Sequence, residues 1–232
     1  VDSTSITAWV LQRSAARVRG LFDEGPERNA GWARVLALEG IEQAQVCYGR
    51  MLLQGTGLEK DEVEALRWFR RAARKGDLDA SNMVGRCLEH GWGCEIDVPL
   101  AAAHYYKAAN GGHAWAQYNL GHLYLDGSGV ERDAHTAYRY YLSAATQGHA
   151  RAMNLVGRCC EEGWGIPQNF ANASRWYRRS AEAGYFRGQY NWASILLKCG
   201  CIEAADHWFE RAAEAGTPAV REAVGRLRAA GT

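Results

Sequence analysis

The side chains in this sequence best suited to hold another molecule are arginines, asparagines and tyrosines recurring at fixed intervals. Arg50, Arg86, His122 and Arg158 step by 36 residues, and so do Asn82, Tyr118, Asn154 and Tyr190. A guanidinium can grip a carboxylate through two parallel hydrogen bonds, and a carboxamide can hold the donors and acceptors of a peptide backbone. Tyr118, Tyr190 and Trp115 add the flat aromatic contact that anchors many protein interfaces. Together these residues predict a surface for a partner protein or peptide, with an acidic or C-terminal segment as the fitting ligand. A plainer reading is also open, in which Arg86–Glu89 and Arg158–Glu161 only hold each other at i, i+3 spacing. Such exposed pairs contribute only ~0.3–0.5 kcal/mol.

Other chemistry finds less support. Cys199-x-Cys201 lacks a second Cys or His pair to complete a metal site, and Cys159-Cys160 reads as one core and one half-exposed thiol. The Gly-x-Gly segments lack the Lys of a phosphate-binding loop and no strand precedes them. No Ser/His/Asp or paired-carboxylate arrangement is recoverable, so neither catalytic residues nor metal ligands are assigned. Two alternatives stay open: a metal- or thiol-dependent enzyme using the Cys and His residues, and a structural oligomer joined through exposed Trp92 and Trp164 loops.

The elements that must position these residues follow from the same period. Ala44, Ala80, Ala116 and Ala152 lie 36 apart, as do Gly49, Gly85, Gly121 and Gly157. Repeats of this length are supersecondary units that bury their apolar faces only by stacking. Each reads as helix A, a Gly-x-Gly loop and helix B. In the third, helix A spans roughly 116–125 and helix B roughly 135–146, with an apolar stripe at Leu120, Leu123 and Tyr124. The mid-helix glycines predict close backbone approach between helices. Asp61, Asp97, Asp133 and Asn169 are placed to cap helix B. The column Trp32, Trp68, Trp176 and Trp208 is read as core between helices. Places three, seven, ten and eleven of helix A vary and share one face, which puts the arginine and asparagine rows on an inner wall, with Arg151 and Arg187 approaching from the preceding turn.

The columns from Ala116 through Asp133 resemble the Sel1-like repeat, Ala-x-x-x-Leu-Gly-x-x-Tyr-x-x-Gly-x-Gly-Val-x-x-Asp, and Ala173 to Gly184 resemble its second half. The resemblance covers nearly the whole chain. It implies an all-α fold, an α/α right-handed superhelical solenoid related to tetratricopeptide repeats, with no cofactor and an adaptor or scaffold role. The expected organisation is a single solenoid over 1–232: a degenerate repeat at 8–40, repeats at 44–79, 80–115, 116–151 and 152–187, a shortened one at 188–219, and a capping helix at 220–232. Repeats two and four share Asn-x-Val-Gly-Arg-Cys-x-Glu-x-Gly-Trp-Gly, from Asn82 to Gly93 and from Asn154 to Gly165. Duplication of a two-repeat unit explains that identity without function.

The 27 basic and 26 acidic residues leave a net charge of +1, which gives no field to steer nucleic acid. No apolar run approaches the ~18 residues of a membrane span. Secreted members of the resembled family carry a disulfide ladder; the corresponding places here are Ala73 and Ser81, Ala109 and Gln117, Ala145 and Met153, Ala181 and Gln189. With that ladder absent, the seven cysteines are expected reduced and the protein cytoplasmic. The missing initiator Met keeps removal of a leader, and export, as the alternative.

Overall fold

The computed structural model describes residues 25–216 and, beyond them, residues 218, 221, 222, 224 and 225. Eleven α-helices and no strand occur among these residues: α1 (Pro26–Leu38), α2 (Glu42–Gln54), α3 (Glu62–Arg74), α4 (Leu78–His90), α5 (Val98–Asn110), α6 (Ala114–Asp126), α7 (Ala134–Thr146), α8 (Ala150–Glu162), α9 (Phe170–Glu182), α10 (Phe186–Lys198) and α11 (Ile202–Ala215). The fold is therefore all-α, as the period predicts. Much of the expected first repeat, and Arg226 and Arg228 of the expected cap, lie outside the described residues.

The helices form two compact units, residues 1–111 and 112–232. In the first, α2 pairs with α3 and α4 with α5, while α1 packs on α2 and α3 on α4. In the second, α6–α7, α8–α9 and α10–α11 pair, and α7 and α9 pack on the next hairpin.

The loops obey simple backbone rules. The first glycine of each Gly-x-Gly, at 55, 91, 127 and 163, ends helix A in the left-handed conformation that a side chain disfavours. At 57, 93 and 165 the second glycine lies against the first turn of the preceding helix B. A Cβ on Gly93 would stand 2.2 Å from the Glu62 carbonyl oxygen, and one on Gly165 2.2 Å from that of Ala134. Asp61, Asp97, Asp133 and Asn169 then accept backbone N–H groups of the first turn of helix B, as predicted.

The core differs from expectation in one column. Phe69, Tyr105, Tyr141 and Tyr177, which step by 36 residues along the B helices, are fully buried. Each ring lies against the mid-helix glycine of its own hairpin, where a Cβ would stand 2.6–2.7 Å from a ring carbon. The recurring glycine thus makes room for a ring rather than for a second backbone. The tryptophan before it is buried only at Trp68; Trp32, Trp176 and Trp208 are half-buried, and Arg179 and Arg211 lie over the latter two at 4.4 and 4.9 Å.

Candidate functional site

Three of the nine predicted binding residues fall in unit 1–111. Arg50 on α2 is exposed but already engaged: it donates to both carboxylate oxygens of Asp79, at 2.7 and 2.8 Å. Arg86 on α4 lies over the Trp92 ring at 5.0 Å and contacts the Met83 sulfur. Asn82 is buried, at 4% exposure, which corrects its placement on an open face. The expected Arg86–Glu89 partnership gives way to a different one, because Glu89 accepts the hydroxyl of the buried Tyr105 at 2.6 Å.

The other six lie in unit 112–232, and five of them converge. Tyr118 and His122 on α6, Asn154 and Arg158 on α8, and Tyr190 on α10 line one cavity of about 410 Å³, together with Arg151, Leu155, Tyr185, Arg187 and Asn191. Consecutive A helices place their variable faces side by side, so residues one repeat apart become neighbours. No Asp or Glu belongs to the lining, which carries three guanidinium groups.

Aromatic rings hold those guanidiniums. Arg151 lies over Trp115 at 5.3 Å and over Tyr185 at 5.8 Å, Arg158 over Trp164 at 4.6 Å, and Arg187 over Phe186 at 5.8 Å. Trp92 and Trp164, read from sequence as exposed loop contacts, are instead half-buried partners of arginines. Trp115 is 46% exposed and meets Tyr118 and His149 edge-on. His122 packs edge-on against Tyr118 and Tyr141. Burial, and then Tyr185, push the Tyr118 hydroxyl above its ordinary range, while Arg151 and Arg187 pull the other way.

Asn154 is also 4% exposed, and its Oδ1 accepts from Asn191 Nδ2 at 2.8 Å. The pair is a bridge between α8 and α10 rather than a lone grip. Glu161, like Glu89, is taken by a buried tyrosine, accepting the Tyr177 hydroxyl at 2.5 Å. The corresponding place on α6 is Leu125, and there the buried Tyr141 hydroxyl has no acceptor. Sequence reasoning missed Tyr185 and Asn191. Tyr185 shares its column with His113 and His149 and reads as a turn residue, while Asn191 shares one with Met83 and Leu155 and reads as core.

Three of the seven thiols are poorly disposed for nucleophilic work. All seven are unpaired. Cys87, Cys159 and Cys160 are buried, so the adjacent pair at 159–160 is core at both places. Burial pushes Cys87 and Cys159 up to about 12, which leaves them protonated thiols at neutral pH. Among the described residues no three His, Cys, Asp or Glu side chains come together as a cation site, and no helix is long and apolar enough to cross a membrane.

Comparison with solved structures places this architecture among known ones. A Sel1 repeat protein from Oxalobacter formigenes is 29% identical, with a TM-score of 0.74 over 82% of this chain and 77% of that one. A protective antigen of uropathogenic Escherichia coli displaying an SLR fold is 28% identical, with a TM-score of 0.73 over 88% of this chain. This chain spans 44% of that antigen's length. Comparison with curated proteins yields no match. Sel1 repeat folds are in general scaffolds for protein–protein interaction and are generally non-catalytic. The Sel1 repeat pattern matches residues 43–77, 78–113, 116–149, 150–185 and 202–217, more than half of the sequence, and the chain belongs to the Sel1 repeat family.

Proposed function

We propose that this chain is a protein-binding scaffold whose partner segment seats an acidic side chain or C-terminal carboxylate in the cavity of unit 112–232. The observation that carries this reading is the lining itself, in which Arg151, Arg158 and Arg187 meet Tyr118, Tyr185 and Tyr190 with no carboxylate among them. Guanidiniums stacked on rings lose little freedom on binding and match the planar geometry of a carboxylate. The Asn154–Asn191 bridge leaves Oδ1 of the half-buried Asn191 as an acceptor for a peptide backbone N–H.

The test uses acidic peptides with a free C-terminus, the same peptides amidated, and peptides with Glu replaced by Gln, measured by fluorescence anisotropy. The acidic free-carboxylate peptide should bind best. Arg158→Ala with Arg187→Ala should weaken it by ~2–4 kcal/mol, in line with loss of charged interface contacts, while the melting temperature holds. Equal binding of all three peptides, or an unchanged affinity in the double variant, would place the binding surface elsewhere.

A further inference from the structure

We propose that the same cavity selects a phosphorylated side chain of the partner, with Arg151, Arg158 and Arg187 donating to the three phosphoryl oxygens and Tyr118, Tyr185 and Tyr190 forming the walls around the group that carries it. This rests on the reading of the cavity as the partner-binding site and names the anion within it.

The charge balance of the two units favours this anion over a single carboxylate. In unit 1–111, Arg50 meets one carboxylate, Asp79, and is satisfied by it. The places of Asp79 one, two and three repeats on are Trp115, Arg151 and Arg187. In unit 112–232, then, the column that held the carboxylate supplies two more guanidiniums beside Arg158, and all three line one cavity. One carboxylate carries one charge and two oxygens, enough to pair a single guanidinium in fork geometry. A phosphate monoester carries about −1.5 to −2 charges near neutral pH and three acceptor oxygens, which matches three donors.

A second substitution works in the same direction. Glu89 and Glu161 accept buried tyrosine hydroxyls on the A helices of repeats two and four, but α6 has Leu125 in that place. The Tyr141 hydroxyl, behind Tyr118 and His122, consequently stays buried and unpaired. The change removes one negative charge from the helix that forms a wall of the cavity. The volume of about 410 Å³ falls in the range of small-ligand pockets, ~300–1,000 Å³. The aromatic walls suit phosphotyrosine as well as the shorter phosphoserine.

The full chain is titrated calorimetrically with N-acetyl-phosphotyrosine amide, N-acetyl-phosphoserine amide, N-acetyl-glutamate amide and inorganic phosphate. At least one phosphorylated amide should bind about tenfold or more tightly than the glutamate amide, since its charge is roughly doubled, and added salt should weaken it. Arg158→Ala and Arg187→Ala should each abolish the preference. Arg158→Lys, with charge but no planar fork, should leave the melting temperature unchanged and still fail to restore the preference. Glutamate amide binding as tightly as both phosphorylated amides would overturn the phosphoryl assignment. If its binding were also lost in Arg158→Ala, the partner-binding reading would stand without it. Inorganic phosphate binding as tightly as either amide would assign the site to free phosphate and overturn the partner side chain. Failure of every anion to bind the wild-type chain would sink both readings.

Discussion

Repeats two and four carry nearly the same helix A sequence, yet the two units surround it with different charges. Asn82, Arg86, Glu89 and Trp92 in unit 1–111 have counterparts at Asn154, Arg158, Glu161 and Trp164 in unit 112–232. Their internal contacts are alike: asparagine buried, arginine over the loop tryptophan, glutamate accepting a core tyrosine. What differs is the first turn of the same helix, where Asp79 is replaced by Arg151, and the A helix that follows, which adds Arg187. The first unit supplies Asp79 to Arg50, while the second supplies Arg151 and Arg187. A duplicated motif thus fixes its own packing, and the residue types placed around it decide whether the arginine nearby is paired within the protein, as Arg50 is, or lines a cavity, as Arg158 does.

The largest effect separates the shared packing from the variable surface. Tyr177→Ala empties a fully buried site against Gly157 and should cost ~3–5 kcal/mol. Trp176→Ala, one residue away and half-buried under Arg179, should cost ~1 kcal/mol. Urea denaturation of the two variants checks this, and equal losses would mean that the tryptophan column carries the seam after all.

The next effect tests the charge difference directly. Arg151→Asp gives the second unit the residue type of the first at the Asp79 place. Anion binding in the cavity should fall by ~2–3 kcal/mol, because a carboxylate now competes for the remaining guanidiniums and repels the ligand. Calorimetry with an acidic peptide reads the loss, and retained affinity would show that the charge column is irrelevant to binding.

The period, helix lengths, glycine turns and caps were legible because each is local. Asp61, Asp97, Asp133 and Asn169 cap within three residues of themselves. The cavity was partly legible: five of the predicted residues meet there because equivalent places on successive A helices are neighbours. What stayed hidden were contacts chosen across repeats by side-chain length and direction. Arg50 reaches Asp79 across 29 residues, Asn191 reaches Asn154 across 37, and Tyr105 reaches Glu89 across the hairpin. Periodicity places such residues on a face but leaves open which partner each torsion selects, so Glu89 read as a partner of Arg86 rather than of a buried tyrosine.

A smaller effect follows from that tyrosine–glutamate bond. Tyr177→Phe removes the donor to Glu161 and should cost ~1–2 kcal/mol. Tyr141→Phe removes a hydroxyl that has no acceptor, so it should be neutral or stabilising by up to ~1 kcal/mol. Thermal melts of the pair check the sign. A comparable loss at both would mean that the Tyr141 hydroxyl finds a partner.

The smallest effect lies at the caps of the A helices. Asp77 caps α4 by accepting the Ala80 N–H at 2.7 Å, and 72 residues on His149 caps α8 by accepting the Ala152 N–H through Nδ1 at 3.2 Å. An aspartate caps while ionised, but a histidine caps only while Nδ1 is unprotonated. Burial between Trp115 and Tyr118, and then the charge of Arg151, push His149 down to about 4 from its ordinary 6.5. Between those two values the unfolded chain binds the proton and the folded chain does not. The His149 contribution to stability is therefore complete above pH 6.5 and declines as the pH falls toward about 4, where the folded form also protonates. Urea midpoints at pH 7.5 and 5.0 for wild type and His149→Asn isolate this group from the carboxylates common to both. The wild type should lose more than the asparagine variant, whose cap does not titrate. An equal loss in both would show that the histidine cap does not couple the stability of the second unit to pH.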